Sequence, residues 1–132
     1  MSPIRNGESI DEKLNFYTPS EKRVLIEEKK VVLSEYFKDI GEDKRTVTED
    51  LINSVAFMGV ELKNLEEVMN RNGVVIGYNN GGGQSGMRES PISKSYNALK
   101  KTYLADMKLL LAVLSEDGKN ATDEEFFNFI KS

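Results

Sequence analysis

Leu51, Val55, Met58, Leu62, Leu65 and Met69 recur at intervals of 4, 3, 4, 3 and 4. After a glycine-rich break, Ile92, Tyr96, Leu99, Tyr103, Met107, Leu110 and Leu114 recur at 4, 3, 4, 4, 3 and 4. Each series draws an apolar seam along one side of an α-helix, and such a seam wants a partner helix. The seams match in length and lie on either side of the glycine-rich break, so they can close on each other as an antiparallel hairpin. Helices of about 25 residues, at 1.5 Å per residue, make that hairpin roughly 35 Å long. Ile52, Phe57 and Val60 on the first arm and Leu104, Leu109, Leu111 and Val113 on the second exceed what one antiparallel contact can bury, so a second face is expected to meet another subunit. The residues assigned to this oligomerisation core are Leu51, Val55, Met58, Leu62, Leu65, Tyr96, Leu99, Tyr103 and Leu110.

Capping chemistry predicts where the helices begin. Thr18-Pro19-Ser20-Glu21 combines a capping box with proline at the first helical position, and a helix from about 19 to 39 follows, stopped by Gly41. Thr46-Val47-Thr48-Glu49 offers a second box, predicting a helix that runs to about Arg71 and closes at Asn72-Gly73. Ser90-Pro91 opens a third helix extending to about Leu114. Thr122-Asp123-Glu124-Glu125 heads a short fourth one. The first 17 residues read as a loose lead-in. The expected fold is all-α: a long antiparallel hairpin (46–115) as the oligomerisation core, preceded by a tail and a helix or helix–turn–helix-like segment (1–45) and followed by a short C-terminal helix (116–132).

The break itself holds six of the ten glycines, between Gly73 and Gly86. Gly81, Gly83 and Gly86 satisfy G-x-G-x-x-G, but a dinucleotide fingerprint needs a strand leading directly into a turn and helix within a βαβ unit, with an acidic residue on a second strand. Here the next helix waits until Pro91, no second buried strand follows it, and no lysine followed by Ser or Thr completes a phosphate-binding loop. The segment therefore reads as the connection of the hairpin, with Val74 to Tyr78 able to pair as an edge strand or lie back on the helices.

Composition narrows the chemistry. The 132 residues contain neither cysteine nor histidine, which removes thiol chemistry, the usual zinc ligands, Ser-His and Cys-His pairs and the commonest general base. Adjacent carboxylates such as Glu27-Glu28, Glu66-Glu67 and Glu124-Glu125 suit solvated helix faces rather than metal or acid/base sites. No catalytic residue, metal or cofactor is assigned, and a non-enzymatic role is expected. No apolar run resembles a signal peptide and none could span a bilayer, which favours a cytosolic location. Net charge is −4, unevenly distributed: 91–115 carries four basic residues against one acidic, a local excess of +3. An assembly that gathers such residues on one surface can bind DNA in spite of an acidic total.

The segment from Gly73 through Val74-Val75-Ile76-Gly77-Tyr78-Asn79 to Asn80-Gly81-Gly82-Gly83-Gln84-Ser85-Gly86, then Arg88, Pro91 and Tyr96, resembles the signature of the small terminase subunits of tailed bacteriophages and prophages. The resemblance spans about residues 47 to 115. It departs at Glu89-Ser90, where the family pattern has a basic or polar residue and asparagine. What it implies is a DNA-packaging factor in the cytoplasm of a bacterial host: a homo-oligomeric ring that binds phage double-stranded DNA at the packaging site and recruits and regulates the large terminase subunit, the ATPase and nuclease. The alternative is a purely structural oligomeric adaptor that holds a protein partner and never touches DNA.

For DNA contact the first candidates are Lys22, Arg23, Lys29, Lys30, Lys44 and Arg45, whose helix–turn–helix order suits groove recognition; interleaved Glu21, Glu27, Glu28 and Glu35 allow a plain solvated face instead. The second are Lys94, Lys100, Lys101 and Lys108 with Arg88 nearby, or these lysines pair between subunits with Glu61, Glu66 and Glu67. Phe126, Phe127, Phe129 and Ile130 either dock on the large subunit as a helix in a groove or fold back on the hairpin.

Overall fold

The structure, a computed structural model, describes residues 15–73, 75–81 and 84–116. The C-terminal helix expected at Thr122, with Phe126, Phe127, Phe129 and Ile130, lies outside the described residues. The architecture is the expected all-α one. Helix α1 spans Pro19–Tyr36, α2 Glu42–Asn72 and α3 Pro91–Glu116. A two-stranded antiparallel ribbon, β1 Val75–Gly81 and β2 Gln84–Glu89, joins α2 to α3.

Helix α1 starts as its sequence dictates. Thr18 Oγ1 accepts from the Glu21 amide at 3.1 Å, and Glu21 Oε1 accepts from the Thr18 amide at 2.8 Å. It ends earlier than expected, at Tyr36, because the chain tightens: the Phe37 amide donates to the Ser34 carbonyl and the Ile40 amide to the Phe37 carbonyl. Phe37 and Ile40, just past the end of the helix, are buried in the core.

The start of α2 differs from the sequence expectation. It begins at Glu42, capped by extended Gly41, and the Thr46 to Glu49 box lies inside the helix. Glu42 and Asp43 put negative charge at the positive end of the helix dipole. Arg45 then ties the turn down, reaching Glu42 Oε1 at 3.2 Å with Nε and the Ile40 carbonyl at 3.2 Å with a terminal nitrogen. Thr48, freed from capping, is buried, and its hydroxyl has no hydrogen-bond partner.

Helices α2 and α3 run antiparallel with the seams engaged: Gly59 lies beside Tyr103, and seven residues away in opposite directions Glu66 accepts from the Tyr96 hydroxyl at 2.8 Å. Helix α1 packs on a neighbouring side of α2. The core joins Leu33, Phe37 and Ile40 to Ile52, Val55, Met58 and Leu62 of α2 and to Tyr103, Met107, Leu110 and Leu114 of α3. At Gly59 all three helices come close; an added Cβ would meet Tyr103 Cε1 at 3.4 Å and the Lys29 stem at 3.5 Å, ordinary van der Waals contact on both sides.

The residues assigned to oligomerisation already have neighbours within the chain. Val55, Met58, Leu62, Tyr103 and Leu110 are buried within the chain, Leu51, Tyr96 and Leu99 pack partly buried against them, and Leu65 is half-buried. The seam closes the hairpin. Of the surplus apolar set, Ile52 and Val60 are buried, whereas Phe57, Leu104 and Leu109 stay exposed.

The glycine-rich connection is more ordered than a loop. Gly73 takes φ +84°, a conformation open to glycine, and turns the chain out of α2. Val75 then pairs with Glu89, Ile76 with Arg88, Gly77 with Met87, Tyr78 with Gly86 and Asn79 with Ser85; an irregularity follows before Gly81 pairs with Gln84.

Candidate nucleic-acid interface

The lead-in to α1 is held by a buried polar side chain in the middle of α2. Asn64 Oδ1 accepts from the amides of Phe16 at 2.7 Å and Tyr17 at 3.0 Å, while its Nδ2 donates to Asn15 Oδ1 at 3.3 Å. Lys22 Nζ joins the same cluster, donating to Asn15 Oδ1 at 2.7 Å and pairing with both Glu61 oxygens at 3.1 Å. The Arg71 guanidinium lies over the Phe16 ring at 5.9 Å. The sequence reading missed this clasp; its one local signal is an asparagine with apolar Val60 and Val68 one helical turn to either side.

The clasp redistributes the first set of basic candidates. Lys22 is held by Glu61 between α1 and α2, its side chain 17% exposed. Lys29 is half-buried beside Gly59, and burial, with the nearby Lys63 charge adding to it, lowers its pKa. Arg23 is exposed and donates to Ser20 Oγ. Lys30 sits 3.9 Å from Glu27. Lys44 and Arg45 are half-buried at the start of α2, where Glu42, Asp43, Glu49 and Asp50 would repel phosphates. Of the six, Lys22, Lys30 and Arg45 thus have carboxylate partners within the chain, and Lys29 is half-buried.

The second set fares differently. Lys94, Lys101 and Lys108 recur every seven residues, so they stand on one side of α3, two turns apart, and all three are exposed. That side lies opposite Tyr103, Met107 and Leu110, the residues α3 buries. Lys100 turns from this row toward the hairpin, its ammonium 6.0 Å from the Tyr96 ring centre and 5.9 Å from that of Tyr103. The carboxylates expected to pair with these lysines across subunits are engaged at home: Glu61 with Lys22, Glu66 with the Tyr96 hydroxyl and Glu67 with Asn70. At 1.5 Å per residue the positions of Lys94, Lys101 and Lys108 on α3 are about 10 Å apart and span roughly 21 Å. The α3 residues between them on that face, Asn97, Ala98, Leu104 and Ala105, carry no charge, although the Glu89 carboxylate reaches Asn97 at the N-terminal end of the row.

Glu89 and Ser90, where the sequence departs from the family pattern, have a clear local task. Ser90 Oγ accepts from the Ser93 amide at 3.1 Å, and Glu89 Oε2 accepts from Ser93 Oγ at 2.8 Å and Asn97 Nδ2 at 3.3 Å. The pair satisfies the first turn of α3 and places a carboxylate at the positive end of its dipole.

Other surfaces offer less chemistry. An open groove of about 600 Å³ between α1 and α2 is lined by Lys30, Val31, Glu35, Lys38, Glu49 and Ile52, among others. Among the described residues no three of His, Cys, Asp and Glu are grouped to hold a metal ion, and no helix is long and apolar enough to cross a membrane. Compared with known proteins, the chain matches no family model, no curated protein and no solved structure.

Proposed function

We propose that this chain is a small terminase subunit of a tailed phage or prophage, a non-enzymatic factor that assembles into a ring, binds double-stranded packaging-site DNA and recruits the large subunit. The resemblance carried by Asn80 to Pro91 supports the identity, and that segment contains the end of β1, all of β2 and the capped start of α3. The observation that carries DNA binding is the row Lys94, Lys101 and Lys108: exposed, evenly spaced, and repeated in every copy of an assembly. Its role is to bind phosphate and position the duplex; sequence discrimination falls to other residues.

Light scattering on the full chain tests the assembly, which a strict monomer at micromolar concentration would refute. DNA from the packaging region should be retained more tightly than an unrelated fragment, with affinity falling as salt rises. Changing Lys94, Lys101 and Lys108 together to Gln should weaken binding to any sequence by at least tenfold and flatten the salt dependence, by about 0.9 in the log–log slope for each phosphate no longer neutralised. Unchanged DNA binding by that variant would remove the row from the interface. The adaptor reading draws on exposed Val24, Val31 and Val32 of α1, an apolar strip suited to a protein partner, and predicts indifference to both DNA and the triple change.

A further inference from the structure

The ribbon is poorly explained by the single chain. Strands β1 and β2 pair with each other, but among the described elements neither has packing against a helix comparable to that of α2 with α3 or α1 with α2. An isolated two-stranded hairpin is marginal in water, and stable ribbons gain further strands or a helix to lie on. In an antiparallel pair each strand directs alternate amides and carbonyls to its partner and the others outward, so β1 and β2 each carry one open edge.

We infer that the ribbon is an assembly element: the open edge of β1 in one copy pairs with the open edge of β2 in the next. The two edges belong to different strands, which makes the contact head-to-tail, and head-to-tail contacts close into rings when the rotation allows. Pairing β1 against a neighbouring β2 also continues the antiparallel order already present within each ribbon. Closure leaves no edge open, which is how barrels abolish the edge problem. Charge favours a second copy over nucleic acid as the occupant: from Gly73 to Ser90 the segment holds Arg88 and Glu89 as its charged residues, a net charge of zero, and offers phosphates no net attraction. The proposal deepens the oligomeric reading above and rests on it.

The test replaces residues 75–88 in the full chain with four Gly/Ser residues, keeping Glu89 and Ser90 at the start of α3 and the core of α2 and α3, and follows helicity by circular dichroism and mass by light scattering. The expected result is unchanged helicity with self-association weakened more than tenfold. A second experiment uses the absence of native cysteine: an Asn79→Cys protein is mixed with a Ser85→Cys protein of different tag length and treated with a short bismaleimide. Head-to-tail pairing gives the mixed product in excess over both homodimers. If the parent chain is monomeric, the oligomeric reading fails and the edge pairing with it. An assembled parent whose ribbon-less variant assembles equally well overturns the edge pairing alone, as do cross-links that favour either homodimer. Loss of DNA binding at unchanged mass would also overturn it, assigning the ribbon to nucleic acid.

Discussion

Changing Asn64 to Ala probes the clasp that anchors the lead-in segment on α2. The side chain is 1% exposed and accepts two backbone amides, from Phe16 and Tyr17, at 2.7 and 3.0 Å. Each hydrogen bond contributes about 1 kcal/mol net, so losing both costs about 2 kcal/mol. Alanine is a better helix former than asparagine by roughly 0.5 kcal/mol, which leaves a net loss of about 1.5 kcal/mol. With a urea m-value of about 2 kcal/mol/M, the unfolding midpoint should fall by roughly 0.7 M. The measurement belongs at one fixed protein concentration, because any self-association adds to apparent stability. Amide exchange gives the local readout: Phe16 and Tyr17 should lose protection in Asn64→Ala and keep it in Asn64→Asp, which preserves both acceptor positions. A midpoint within about 0.2 M of the parent, with both amides exchanging at the parental rate, would refute the anchoring role.

Two further changes test the core. Thr48→Val removes a buried hydroxyl that has no partner and keeps the side-chain shape, so it should stabilise the fold by about 1 kcal/mol; equal or lower stability by urea titration would show that the hydroxyl is satisfied in solution. Burial raises the pKa of Tyr103 above its ordinary 10.0, so the unfolded chain ionises first. Its contribution is constant below pH 10 and is lost as pH rises through the raised folded value. The parent should therefore lose stability more steeply above pH 10 than Tyr103→Phe, and parallel pH profiles would contradict that burial.

How far the sequence could be read depended on the range of the interaction. The Thr18 box was legible because donor and acceptor are three residues apart, and Pro91 because proline at a helix start is a local preference. The seams were legible as periodicity, and the hairpin followed. The Thr46 to Glu49 box misled because an equally local alternative, Gly41 with Glu42 and Arg45, competes with it, and the burial of Thr48 within the helical packing decides between them. Glu61 was expected to meet a neighbouring subunit; it meets Lys22, a residue 39 positions away that only the packing of α1 on α2 brings within reach.

Sequence alone therefore determined the class of fold: among the described residues, the three helices, their approximate ends and the antiparallel pairing of α2 and α3, together with a chain without thiol or imidazole chemistry. Each of these rests on covalent neighbours or on spacing along one helix, where 3.6 residues per turn converts order into facing. Tertiary structure decided which charges remain exposed and which apolar faces remain open. Lys22 and Lys29 left the exposed set because α1 lies on α2, whereas Lys94, Lys101 and Lys108 stayed in it because α3 turns its other side to the core. Burial is a property of pairs of elements, and no single helix carries it in its own sequence.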